Sequence, residues 1–117
     1  MVNKVILIGR LTADPDVRAT AAGSHVANLR LATNTVRGRE EDGTWREQAD
    51  FHNLVLFGRH AEIAAEHLKK GRLLYAEGRS QTRSWETSEG QRRYTTEVVV
   101  DKFEMLGPKP TSQEASQ

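Results

Sequence analysis

Two stretches of this chain alternate with a period of two residues, and that alternation restricts the fold more than any other feature. Between His25 and Asn34, Ala27, Leu29, Leu31 and Thr33 interleave with Val26, Asn28, Arg30 and Ala32. Between Asp50 and Phe57, His52, Leu54 and Leu56 interleave with Phe51, Asn53, Val55 and Phe57. A helix returns to one face every three or four residues, so only a strand with one buried side fits this pattern. Leu54 and Leu56 face inward. Phe51 and Phe57 then share an outward-leaning line, about 20 Å apart at the usual rise per residue. The competing assignments put both rings in the core, although the leucines already supply an apolar side, or place Phe51 at a subunit interface.

The other segments arrange themselves around these two strands. Val5-Ile6-Leu7-Ile8 opens an earlier strand that bends at Gly9 and continues through Leu11. Ala13-Asp14-Pro15-Asp16 and Ala22-Gly23-Ser24 carry turn chemistry. Arg37 to Gln48, centred on Asp42-Gly43, reads as a long polar hairpin excursion. One helix is expected from His60 to Lys70. Ile63, Ala64, His67 and Leu68 mark its face, Lys69 and Lys70 its last turn, and Gly71 its C′ position. A final hairpin runs from Leu73 to about Trp85, reverses at Ser88-Glu89-Gly90, and returns from Tyr94 to about Phe103. The order β-β-β-α-β-β is that of the OB-fold, an all-β, five-stranded Greek-key barrel with one helix between strands three and four. The domain spans 1–107, and 108–117 is expected to form a flexible tail.

At 117 residues the chain suits one domain with a modest core. No stretch approaches the roughly 20 apolar residues that span a bilayer, and the N-terminal run is too short and interrupted for a secretory signal. Zero cysteines exclude a thiol nucleophile, a disulfide framework and a zinc–thiolate site, and fit a cytoplasmic setting. Net charge is only +1, but it is unevenly distributed. Residues 1–39 and 79–94 are basic, whereas 40–50 hold five acids against Arg46. Arginine outnumbers lysine twelve to five, which favours planar phosphate and base contacts.

The segment from Thr82 to Tyr94 runs basic, aromatic, polar turn with glycine, then basic, basic, aromatic. Beside guanidinium groups, the ring of Trp85 suits an unstacked nucleobase and its phosphate; the alternative is a ring packed under its own turn. Tyr94 either contacts a base or caps the barrel. His60 and His67 lie seven apart on the helix, yet nothing completes a metal-ligand set, and Glu40-Glu41-Asp42 at a hairpin tip reads as solvated acids. No metal or cofactor is expected.

Several runs resemble the bacterial single-stranded DNA-binding protein family. They include Val2-Asn3-Lys4-Val5-Ile6-Leu7-Ile8-Gly9-Arg10-Leu11, Asp14-Pro15-Asp16-Val17-Arg18, Val26-Ala27-Asn28-Leu29-Arg30-Leu31-Ala32-Thr33 and Phe51-His52-Asn53-Leu54-Val55-Leu56-Phe57-Gly58. Leu68-Lys69-Lys70-Gly71, Tyr75-Ala76-Glu77-Gly78 and Arg92-Arg93-Tyr94-Thr95-Thr96-Glu97-Val98-Val99-Val100 extend the likeness over about residues 2–107. The resemblance implies a non-catalytic, cytoplasmic, nucleoid-associated protein that binds single-stranded DNA without sequence preference in replication, recombination and repair. It also implies a homo-oligomer, a tetramer or alternatively a dimer.

Carried over position by position, the resemblance assigns base stacking to Trp85, Phe57 and Phe51. It assigns strand or phosphate contact to Lys4, Arg10, Arg18, Arg59, Lys69, Lys70, Arg79 and Arg83. His52 falls at a position associated with subunit contact, and Tyr75 suits an interface better than DNA. Val36 stands where a further tryptophan is common, so one platform is missing; Trp45, on the same loop, is the candidate substitute. The family's acidic, phenylalanine-tipped tail has no counterpart in Glu114-Ala115-Ser116-Gln117, so recruitment of replication and repair proteins does not carry over. Two other classes stay open. An enzyme has no spacing in its favour, and an OB module for RNA or a replication partner is distinguished by whether the aromatic set binds DNA.

Overall fold

The computed structural model describes residues 1–108. The tail expected over 108–117 lies outside the described residues from Lys109 onward. The elements are β1 (Val5–Leu11), β2 (Asp16–Ala19), β3 (His25–Arg39), β4 (Trp45–Phe57), α1 (Arg59–His67), β5 (Leu73–Glu86) and β6 (Arg92–Leu106). They form one sheet in the order β1-β5-β6-β4-β3-β2, and β1 pairs again with β3. That second pairing, Arg10 with Ala32 and Leu11 with Leu31, closes β1, β5, β6, β4 and β3 into a five-stranded barrel. The closure needs one parallel junction, Leu54 with Val98 and Val55 with Val99 between β4 and β6.

The alternation read from the sequence becomes the wall of this barrel. Ala27, Leu29, Leu31, Leu54 and Leu56 are buried, and they meet Leu11, Leu74, Ala76, Val98 and Val100 from the other strands. The helix closes one end with Ala61, Ala64 and, just past its end, Leu68, all buried. This stripe differs from the expected one: Ile63 is half-buried and His67 exposed. Alanine at the closest points lets a short helix sit directly on the barrel mouth.

Three element boundaries also differ from expectation. Asp16–Ala19, not among the five strands read from the sequence, forms an edge strand paired with His25–Asn28; four residues are too few to display a period. The polar excursion is a regular ribbon whose strands pair out to Arg39 and Trp45, interrupted by one irregularity between Val36 and Gly38. The helix stops at His67 rather than Lys70. Leu68 leaves in an extended conformation with its side chain in the core, and its N–H bonds back to the Ala64 carbonyl. Gly71 therefore serves the connecting loop, where its N–H donates to Leu11.

Two glycines are required by close approach. A Cβ on Gly9 would land on the carbonyl of Ala32, where β1 squeezes between β5 and β3. A Cβ on Gly78 would land on the carbonyl of Val99, beside the register shift that turns the β5–β6 hairpin across the barrel. Gly78→Ala is expected to lower stability by about 1–3 kcal/mol, the usual cost of forcing backbone apart in a packed interior. Urea unfolding measures this, and an unchanged midpoint would contradict the tight crossing.

Candidate nucleic-acid interface

The register fixes which side chains share the outer surface of β4. Trp45, Phe51 and Phe57 sit on the same side of the strand, six residues apart, and are 58%, 53% and 51% exposed. Leu54 and Leu56, on the other side, are fully buried. The outward assignment of both phenylalanines therefore holds, and their placement in the core does not. Val55 belongs to the same outer side but is almost covered, because Val99 of β6 lies beside it through the parallel junction.

Through that junction the surface continues onto the last hairpin. Val99, Glu97, Thr95 and Arg93 on β6 pair with Arg79, Gln81, Arg83 and Trp85 on β5, and all lie on the side of Val55. Trp85 is 46% exposed, and its indole N–H donates to the Thr95 hydroxyl at 3.3 Å, holding the ring at a fixed angle. Between Phe57 and this hairpin runs a shallow groove lined by Val26, Asn28, Val55, Gln81, Arg83 and Glu97. A neighbouring hollow of about 310 Å³ extends it past Asn53 and Arg30 towards Asp14 and Asp16.

The Arg83 Nε donates to Glu97 at 3.1 Å. Glu97 is only 7% exposed, so its carboxylate forms part of the groove floor and orients the guanidinium above it. A single buried acid with an arginine partner is satisfied, not repulsive to a phosphate further out. Arg79 stands on the same surface of β5. Arg18 lies opposite Val26, next to the Phe57 row, and its guanidinium is 3.5 Å from Asp16. Arg59 follows Phe57 by two residues at the helix start, 3.5 Å from Glu62. Lys69 and Lys70 occupy the loop after α1, where Asp14 accepts the Lys70 backbone N–H at 2.8 Å.

Two basic residues from the sequence reading stand elsewhere. Lys4 pairs with Glu77 at 3.3 Å, and Arg10 donates to the Gly71 carbonyl at 2.9 Å. They flank Ile6 and Ile8, which are 56% and 55% exposed on the outer side of β1. Tyr75, opposite Ile8, donates its hydroxyl to Glu77. That bond, together with Lys4, holds the Glu77 carboxyl below its ordinary range, and the same bond to Glu77 pushes the Tyr75 hydroxyl up. His52 is half-buried and shares a 2.9 Å hydrogen bond with Thr33. Tyr94 is exposed opposite Ser84, on the other side of the hairpin from Trp85.

The sequence reading passed over Arg30 and Arg39. The Arg30 guanidinium lies 4.6 Å from the centre of the Phe51 ring, and that of Arg39 lies 4.2 Å from the centre of the Trp45 ring. Arg30 alternates with core residues and so was visibly solvent-facing, but its aromatic neighbour follows only from cross-strand register. The acids at the hairpin tip are internally matched. Glu40 takes a two-pronged bond from Arg46. Asp42 is held below its ordinary pKa by the Thr44 hydroxyl and backbone N–H. Among the described residues no group of three His, Cys, Asp or Glu side chains converges as a metal site.

A closed five-stranded barrel with a helix between its third and fourth barrel strands, and with aromatic and basic side chains gathered on one outer surface, defines an OB-fold protein. The profile of the single-strand binding protein family matches residues 2–106, and the chain belongs to that family. A solved Plasmodium falciparum SSB complex with ssDNA superposes with a TM-score of 0.82 at 28% identity, covering 92% of this chain and 97% of that one.

Proposed function

We propose that this protein binds single-stranded DNA without sequence preference, holding bases on Trp85, Phe57, Phe51 and Trp45. Basic side chains neutralise the phosphates between these stations. The observation that carries the reading is the row of half-exposed rings on one side of β4, continued by Trp85 through the β4–β6 junction. Stacking accepts any base because every base has a π-face. Arg83 lines the groove; Arg18, Arg59, Lys69, Lys70 and Arg79 supply further phosphate contacts around it, and for Lys4 and Arg10 that role rests on the family resemblance alone. The role is non-catalytic and cytoplasmic: coating exposed strands during replication, recombination and repair, and melting hairpins by taking only the unpaired form.

The working unit is a homo-oligomer, a tetramer as the family resemblance implies or alternatively a dimer. Along Val5–Gly9, β1 pairs with β5 on one edge only, and Ile6 and Ile8 stand exposed beside that open edge. An open edge flanked by apolar side chains favours pairing with a second copy. Tyr75 borders the same surface.

Tryptophan-fluorescence titration with oligothymidine, alongside a native mass measurement, tests the reading. Strong quenching is expected, with affinity falling as salt rises at a log–log slope near −0.7 per neutralised phosphate. Absence of binding in dilute buffer refutes the reading. Strand cleavage in the presence of magnesium would overturn its non-catalytic part.

A further inference from the structure

We propose that Arg30 and Arg39 are ring caps that an incoming nucleotide displaces. Each guanidinium yields its aromatic face to a base and moves to the adjacent phosphate. The inference rests on the single-strand-binding reading and adds to it how the stacking stations are kept and loaded.

Arg39 lies directly opposite Trp45 in the register, and Arg30 is diagonal to Phe51, two residues along. Both distances place the cation over the ring, within the roughly 6 Å range of a cation–π contact. Among the described residues neither guanidinium makes a salt bridge or a hydrogen bond, unlike those of Arg10, Arg18, Arg46, Arg59, Arg83 and Arg92. Of the acids beside Arg39, Glu40 is engaged by Arg46 and Asp42 by Thr44, while Glu41 makes no salt bridge to it. The ring is therefore the main partner each cation has.

Such a contact at an exposed site is weak, so it shields the ring without locking it. A base replaces the cation on the ring, and a phosphate offers the released guanidinium a stronger, charge-assisted bond. Loading a base and neutralising a phosphate become one exchange. The six-residue spacing that separates Phe57 from Phe51 separates Phe51 from Trp45, so the track extends along the β3–β4 ribbon. Phe57, opposite Val26, has no cap and serves as the internal contrast.

The experiment compares wild type, Arg39→Ala and Arg39→Lys in oligothymidine titrations over a tenfold range of salt. Arg39→Ala is expected to lose about 0.7 from the log–log slope. Its affinity then falls about fivefold less than that of wild type across the range. At the high-salt end, where the phosphate contact matters least, the variant matches or exceeds wild type because its ring is open. Arg39→Lys keeps the slope. In DNA-free protein carrying Trp85→Phe, where Trp45 is the sole tryptophan, Arg39→Ala is expected to change the emission. Parallel salt lines for wild type and Arg39→Ala, with wild type binding normally, overturn the cap alone. Unchanged Trp45 emission also overturns it, and a wild type that ignores oligothymidine overturns both the cap and the reading beneath it.

Discussion

Replacing Phe57 and Trp85 together by alanine is expected to weaken oligothymidine binding by about 2–6 kcal/mol, two stacked bases at their usual worth. The rings stand on different strands, β4 and β5, and share only the outer surface that the parallel β4–β6 junction makes continuous. Each is about half exposed, so neither contributes to the buried core and the double variant should fold normally. Stability is expected to change by no more than about 1 kcal/mol, the usual range of about 0.5 kcal/mol at each of two surface positions. That separation makes the affinity loss interpretable. The salt slope should persist, because Arg79 and Arg83 remain in place. An unchanged affinity in a folded double variant would instead favour an OB module for RNA or a protein partner.

The residues that build this surface were legible in the sequence to different degrees, for physical reasons. The strand from Asp50 to Phe57 declared its two faces through strict alternation, and the structure keeps Leu54 and Leu56 inside and Phe51 and Phe57 outside. Helix α1 was visible, but its end was not. Lys69 and Lys70 satisfy the local preference for a cationic last turn, whereas the pull of Leu68 into the core overrides it. Edge strand β2 was hidden because four residues beside Pro15 carry no period. Arg30 and Arg39 were readable as exposed cations but not as partners of Phe51 and Trp45. That partnership depends on which residues face each other across β3 and β4, including the shift between Val36 and Gly38. Register is a tertiary quantity, and a single sequence expresses it only through turn length. The same limit explains Lys4, whose pairing with Glu77 between β1 and β5 no local pattern announces.

Leu54→Ala tests whether the binding surface and the barrel are one cooperative unit. Leu54 is fully buried, faces Leu29 across β3, and occupies the parallel pairing with Val98 that joins the Phe51–Phe57 strand to the Trp85 hairpin. Truncating a leucine in such a site removes transfer energy and leaves a cavity, at a cost of about 2–5 kcal/mol. Domains of this size are stabilised by roughly 5–15 kcal/mol in total, so the variant should unfold at markedly lower urea. No side chain of the outer groove is altered, so molecules that remain folded should bind as wild type does. Oligothymidine at about a hundred times its dissociation constant should then restore close to 2.7 kcal/mol, because only the folded form binds. Chemical unfolding with and without the oligonucleotide measures both quantities. A loss below about 1 kcal/mol would mean that the β4–β6 junction does not hold the barrel closed. A normal loss without recovery would mean that oligothymidine either fails to bind the folded variant or binds the unfolded chain equally well, and either result contradicts a groove that survives in the folded variant and is built only by folding.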